Sequence, residues 1–111
     1  METLFHLALV DDWRDAQAAG AYRTSTIGQT VDEVGFIHCS FRHQVDATAS
    51  RYYAGRPDLV LLTIDPALVG AEVRVENLHG GEERFPHVYG PLPVSAVVAV
   101  DPYEAPPAAR T

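Results

Sequence analysis

The chain contains no lysine. Its eight cations are all arginines, scattered from Arg14 to Arg110, against fifteen carboxylates, and the net charge is −7. A negative field without a basic stripe repels phosphate backbones, which argues against extended nucleic-acid binding. Cysteine is nearly absent. Cys39 stands alone, so neither an internal disulfide nor a thiolate metal cage can form within one chain, as suits a reducing compartment. No apolar run is long enough to span a membrane, and the first residues carry Glu2 and Asp11 rather than a basic segment. Neither a secretory signal nor a membrane anchor is expected, and the protein reads as cytoplasmic. Missing too are a Gly-x-Ser-x-Gly elbow, a His-x-x-x-His pair, and any phosphate loop or dinucleotide fingerprint around Gly80, Gly81 and Gly90.

What is present suits one folded unit. A chain of 111 residues buries roughly 65% of its unfolded surface, enough for a core without staples. One domain over residues 1–103 is expected, followed by a mobile Pro/Ala-rich tail over 104–111. Leu4 to Val10 reads as a strand with Phe5, Leu7 and Leu9 on one face and Leu4, His6, Ala8 and Val10 on the other. A helix follows over Asp12–Ala19, capped by Asp11 or Asp12 and closed by Gly20. Gly20 to Thr30 reads as a loop with a short strand near Tyr22, and Val31–Val34 as one helical turn ended by Gly35.

Phe36–Cys39 is a short strand, with Ser40 as N-cap of a second helix over 41–54 whose apolar stripe is Val45, Ala49 and Tyr52 or Tyr53. The run Leu59–Ile64 fits a central strand buried on both faces. Glu72–Leu78 and Phe85–Tyr89 alternate as strands, the second expected at an edge because of Pro86, with a hairpin or longer loop at Gly80-Gly81. Val94–Val100 is a last strand. Two early helices and late strands point to an α+β fold with a mainly antiparallel sheet.

Four places can carry chemistry. His6 is either a satisfied strand histidine or a cleft group that binds a ligand hydroxyl or carbonyl. In Gly35-Phe36-Ile37-His38-Cys39-Ser40, alternation turns Phe36, His38 and Ser40 to one face and leaves Cys39 for packing. In Phe85-Pro86-His87-Val88-Tyr89, two aromatics flank His87 on one face, either as a stacking wall for a flat ring or as a half-buried strand. Glu76 is either a solvated outer-face residue or a cleft acid. His6, His38 and His87 could also converge on a metal, though no ligand spacing requires it.

The strings Gly35–Ser40 and Phe85–Leu92, with Phe5-His6-Leu7-Ala8, Trp13, Gln44, the run Asp58–Asp65 and Glu76, resemble a family of small bacterial domains of unknown function over residues 3–102. More distantly, a first-strand His followed by Ile-His-Cys-Ser is similar to the RNA 2′-phosphotransferase branch of the ADP-ribosyltransferase superfamily. That resemblance implies a split β-sheet and a cleft that takes NAD as co-substrate. It also implies that His6 contacts the adenosine-side ribose, that His38 and Ser40 line the nicotinamide or its ribose, and that Glu76 is the third-strand acid. The expected activity is therefore ADP-ribosyl transfer or a related N-glycosidic cleavage, with His38 and Glu76 catalytic and His6, Ser40, His87 and Tyr89 binding. The alternatives are a non-catalytic module for a nucleotide-type or other small-molecule ligand, and a metal-dependent hydrolase.

Overall fold

The two densest apolar runs of the chain pair with each other, and the rest of the fold is arranged around that pair. In the computed structural model, which describes residues 1–77 and 81–107, β1 (Leu4–Leu9) runs directly into α1 (Val10–Ala19). The expected Asp cap is not made: the helix starts at Val10 and no side chain caps it. Asp11 and Asp12 instead sit inside the first turn, where their charge faces the positive end of the helix dipole. Gly20 ends the helix in the left-handed conformation at φ 89°, with its amide on the Ala16 carbonyl. Trp13 and Ala16, three residues apart on one helix face, turn inward.

The stretch read as a loop carries three short strands, β2 (Ala21–Tyr22), β3 (Thr24–Thr26) and β4 (Gln29–Thr30). Next comes α2 (Val31–Val34), opened by a Thr30/Glu33 capping box and closed by Gly35 at φ 98°. After β5 (Ile37–His38) the chain corrects a second expectation. Ser40 does not cap a helix, because its amide and carbonyl are both bonded to Phe5, at 2.7 and 2.8 Å. A residue held in a strand ladder cannot open a helix. A 3-10 turn at Arg42–Gln44 intervenes, Gln44 Oε1 accepts the Phe41 amide at 2.9 Å, and α3 spans Val45–Tyr52.

The remaining strands are β6 (Leu59–Ile64), β7 (Glu72–Glu76), β8 (Phe85–Tyr89), β9 (Leu92–Pro93) and β10 (Val97–Tyr103). A 3-10 turn at Val94–Ala96 delays the last strand beyond its expected start. All pairings among the described residues are antiparallel. One three-stranded sheet has the order β1-β6-β10, with β6 central as its unbroken apolar run predicts, and another has the order β5-β8-β7. The class is α+β. The edges of the two sheets meet where Phe5 pairs with Ser40.

β8 is thus a central strand, which corrects its placement at an edge. Pro86 is tolerated because β5 is only two residues long. Opposite its end, Cys39 donates its amide to the Pro86 carbonyl at 3.0 Å, and the reciprocal bond, for which proline has no donor, is where the ladder stops. The tail is also held further than expected. Ala105 is buried and bonds through its amide to the Arg56 carbonyl, and the carbonyls of Pro106 and Pro107 accept from the Gly55 amide and the Ser50 hydroxyl. Residues 108–111, and Gly80 of the expected hairpin, lie outside the described residues. Among the described residues no helix is long and apolar enough to cross a membrane.

The core has two parts. Leu4, Ala8, Trp13, Tyr22, Leu62 and Ile64 belong to the larger, and Leu7, Val45, Ala49, Leu59 and Leu61 belong to the smaller, beneath α3. Leu62 on β6 is fully enclosed, whereas Val98 on β10 is 59% exposed. Leu62→Ala is expected to cost about 2–5 kcal/mol in urea unfolding, and Val98→Ala no more than about 0.5 kcal/mol.

Candidate functional site

The first-strand histidine is committed inside the protein. His6 is 3% exposed, its Nδ1 lies 2.6 Å from the His38 carbonyl and its Nε2 lies 3.0 Å from the Tyr22 hydroxyl. A carbonyl can only accept, so Nδ1 carries the proton, and the neutral ring accepts from Tyr22 through Nε2. Burial pushes the His6 pKa down to about 4, although its bond to the backbone works in the opposite sense. The expectation of a ligand-contacting His6 is therefore corrected: both of its nitrogens are used to join β1, β2 and β5.

Ser40 is corrected on the same grounds. It is buried, its backbone is paired with Phe5, and its hydroxyl lies 3.2 Å from the Thr48 hydroxyl. The hollow between His6, Ser40 and Thr48 has a volume of about 10 Å³, about the least that admits one water. Cys39 is buried, and burial pushes its thiol up to about 12, so it packs and does not react.

The second and third candidate segments do come together. β5 and β8 place His38 opposite His87, and β7 places Arg74 on the other side of His87. His87 is 1% exposed. Its Nδ1 lies 2.9 Å from Glu76 Oε1 and its Nε2 lies 3.3 Å from His38 Nδ1. The Tyr89 hydroxyl donates to the same Glu76 oxygen. These two donors hold the Glu76 carboxyl below the usual carboxylate range, Tyr89 more strongly than His87, and Glu76 in turn raises the Tyr89 hydroxyl. An ionised Glu76 only accepts, so His87 Nδ1 carries a proton, and the facing nitrogens of the two imidazoles share one proton between them. Phe36 stacks on the His87 ring at 4.2 Å, and the Arg74 guanidinium lies 4.4 Å from the centre of the Tyr89 ring.

His38 brings this chain of groups to open space. Besides the small hollow beside His6 it lines two larger, open ones, of about 360 and 210 Å³, and Tyr52 lines both with it. In the larger, His38, Tyr52 and Phe85 are ring walls, with ring centres 6.1 and 5.2 Å from His38. Its polar lining includes Gln44, Arg51, Glu82 and Glu83. Gln44 is fixed by bonds from its amide to Glu83 and the Arg84 carbonyl. The smaller hollow is walled by Phe36 and Val34 and reaches Ser25.

Three imidazoles therefore do not ring one hollow: His38 faces it, while His87 and His6 stand behind. Among the described residues no three His, Cys, Asp or Glu side chains converge as a metal set, since Glu76, His87 and His38 follow one another in a line. Phe85 is one of the two aromatics that the sequence offers as a stacking wall, whereas nothing in the sequence assigns Arg51 and Tyr52 to a cleft. One signal was available for Tyr52: only one of two adjacent tyrosines on a helix can face the core, and Tyr53 takes that place.

The chain belongs to the DUF952 family, whose members are described as proteins of unknown function and whose model matches residues 7–100. It is similar to the crystal structure of protein CC0527 from Caulobacter crescentus, with 32% identity over 91% of this chain and 85% of that one and a TM-score of 0.78. The solution structure of the same protein gives 32% identity, 94% and 86% coverage and a TM-score of 0.76. No curated protein matches.

The His6 shift makes stability depend on pH. Above pH 6.5 the ring is neutral both folded and unfolded. Between 6.5 and about 4 only the unfolded chain takes up the proton, so stability falls as pH falls through that window. The loss amounts to roughly 3 kcal/mol. Asn can keep the donor to the His38 carbonyl but cannot titrate. His6→Asn is expected to be less stable than wild type at pH 7 and to show a flatter stability profile between pH 7 and 4, measured by urea unfolding.

Proposed function

We propose that this domain binds a small metabolite carrying a flat ring, of about nucleoside size, in the two-lobed cleft divided by His38 and Tyr52. The observation that carries this reading is that the same two side chains border both hollows. The larger lies within the size range of small-ligand sites and has the expected mixture of ring walls and a few fixed polar groups. Phe85 and Tyr52 would hold the ring by stacking or edge contacts, and His87, with Phe36 stacked on it, backs His38.

Binding is favoured over acid–base catalysis by the environment of His38. Its Nδ1 faces His87, and its Nε2 atom is enclosed and out of solvent contact. A general base must present a nitrogen within hydrogen-bond reach of the proton it takes. ADP-ribosyl transfer from NAD, the alternative, needs a carboxylate beside the ribose C1 carbon to stabilise a cationic sugar. Glu76, its expected acid, is held by His87 and Tyr89, and the polar groups of His6 and Ser40 are engaged by His38, Tyr22, Phe5 and Thr48. Transfer therefore has less support than binding.

Calorimetry and thermal unfolding with NAD, ADP-ribose, adenosine and nicotinamide test the reading, together with an assay for released nicotinamide. The expected result is saturable binding, with about 2.7 kcal/mol of stabilisation at a hundredfold excess over Kd, and no release. Tyr52→Ala should abolish binding with little effect on folding, since that ring is 43% exposed. His38→Ala should abolish binding and also cost about 1–3 kcal/mol, because it removes the partner of the buried His87 Nε2. Absence of binding by all four compounds would refute the proposal, and catalytic release of nicotinamide would replace it with the transferase reading.

A further inference from the structure

We infer that the ligand of this cleft carries an anionic group, a phosphate or a carboxylate, and that Arg51 receives it. The inference rests on the binding reading above and names the chemistry of its ligand. In a chain of net charge −7 three of the described arginines pair with carboxylates, Arg14 with Asp11, Arg56 with Asp58 and Arg74 with Glu72. Among the described residues Arg23, Arg42, Arg51 and Arg84 do not, and of these four only Arg51 lines the larger hollow. Glu82 and Glu83 line the same hollow, yet among the described residues no carboxylate is within ion-pair distance of Arg51, and its guanidinium lies 5.4 Å from the centre of the Tyr52 ring.

Stacking on an aromatic face restricts a long, flexible side chain and leaves its in-plane N–H donors for another partner. Arg51 is therefore a partly ordered fork beside the ring walls, and among the described residues it has no acceptor of its own. Its place in the last turn of α3 accounts for a cation there through the helix dipole, but not for its position over Tyr52 and at the hollow. The carboxylates of Glu82 and Glu83 would repel an anion placed against them. They suit instead the hydroxyl or amine donors of the same ligand, and Glu83 already accepts from Gln44. The expected ligand thus has a ring between Phe85 and Tyr52, an anion toward α3 and donors toward residues 81–83.

Matched probes separate charge from shape: AMP against adenosine for phosphate, and nicotinate against nicotinamide for carboxylate. In calorimetry the anionic member of at least one pair should bind roughly tenfold or more tightly than its neutral counterpart. The preferred pair tells which anion the cleft takes. Arg51→Gln should weaken binding of the anionic member far more than that of the neutral one, so that the preference is lost, and Arg51→Lys should keep part of it. Circular dichroism and the melting temperature verify that the variants fold. Equal affinity of both members in both pairs, or a preference that survives in Arg51→Gln, would overturn this inference while leaving the binding reading in place. Failure of all four compounds to bind would remove both.

Discussion

The architecture depends on how two sheet edges are joined. β1 closes one three-stranded sheet and β5 closes the other, and two such edges side by side would present rows of unpaired backbone groups. Among the described residues one backbone bridge, Phe5 with Ser40, spans them. The carbonyl of His38 is satisfied by a side chain, His6 Nδ1. That bond requires a proton on His6 Nδ1, and in the neutral ring this fixes the tautomer and leaves Nε2 to accept from Tyr22. One imidazole thereby ties three strands together. It is also a buried ionisable group whose charged form is disfavoured by burial and not by these bonds, which is why its lowered pKa belongs to the fold and not to catalysis.

The same joint borders the cleft. While its carbonyl is bonded to His6, the His38 side chain lies on a face of its own sheet, where it meets His87 from β8 and, through it, Glu76 from β7. Each member of the series fixes the next: the carboxylate fixes the tautomer of His87, and His87 fixes the ring of His38. A linear series of this kind orients a ring. It does not gather donors around a point, and this separates the arrangement from a metal centre even though it contains two histidines and a carboxylate.

Much of this is legible in the order of residues, and what is not has physical causes. The unbroken run Leu59–Ile64 gives a central strand, Gly20 and Gly35 give helix ends, and alternation places Phe85, His87 and Tyr89 on one face. Alternation gives direction but not depth. It cannot tell whether a face looks onto solvent, a cleft or a second sheet, so His6 and Ser40 read equally well as ligand contacts and as buried joints. Ser40 was open to misreading for a further reason: a serine before a helix is a good cap only if its backbone is free, and here Phe5, thirty-five residues earlier, holds it. Pro86 misleads in the same way. Its missing donor excludes a full ladder on both sides, yet a partner strand of two residues ends before that donor is needed. Long-range partners decided all three cases.

The two sides of the cleft therefore differ in kind. On the sheet side, His87 has both nitrogens bonded and Phe36 stacked upon it, and movement of that ring would leave a buried polar group without a partner, at a cost of about 1–3 kcal/mol. On the helix side, Tyr52 and Arg51 stand on the last turn of α3 with exposed side chains, tied to each other by a ring–guanidinium contact of the order of 0.5–1 kcal/mol at an exposed site. The cost of rearrangement is thus several times higher on one side than on the other. A ligand entering between them would find a fixed template in the histidine side and would reposition the Arg51–Tyr52 pair, so shape selection belongs to the sheet and adaptation to the end of the helix.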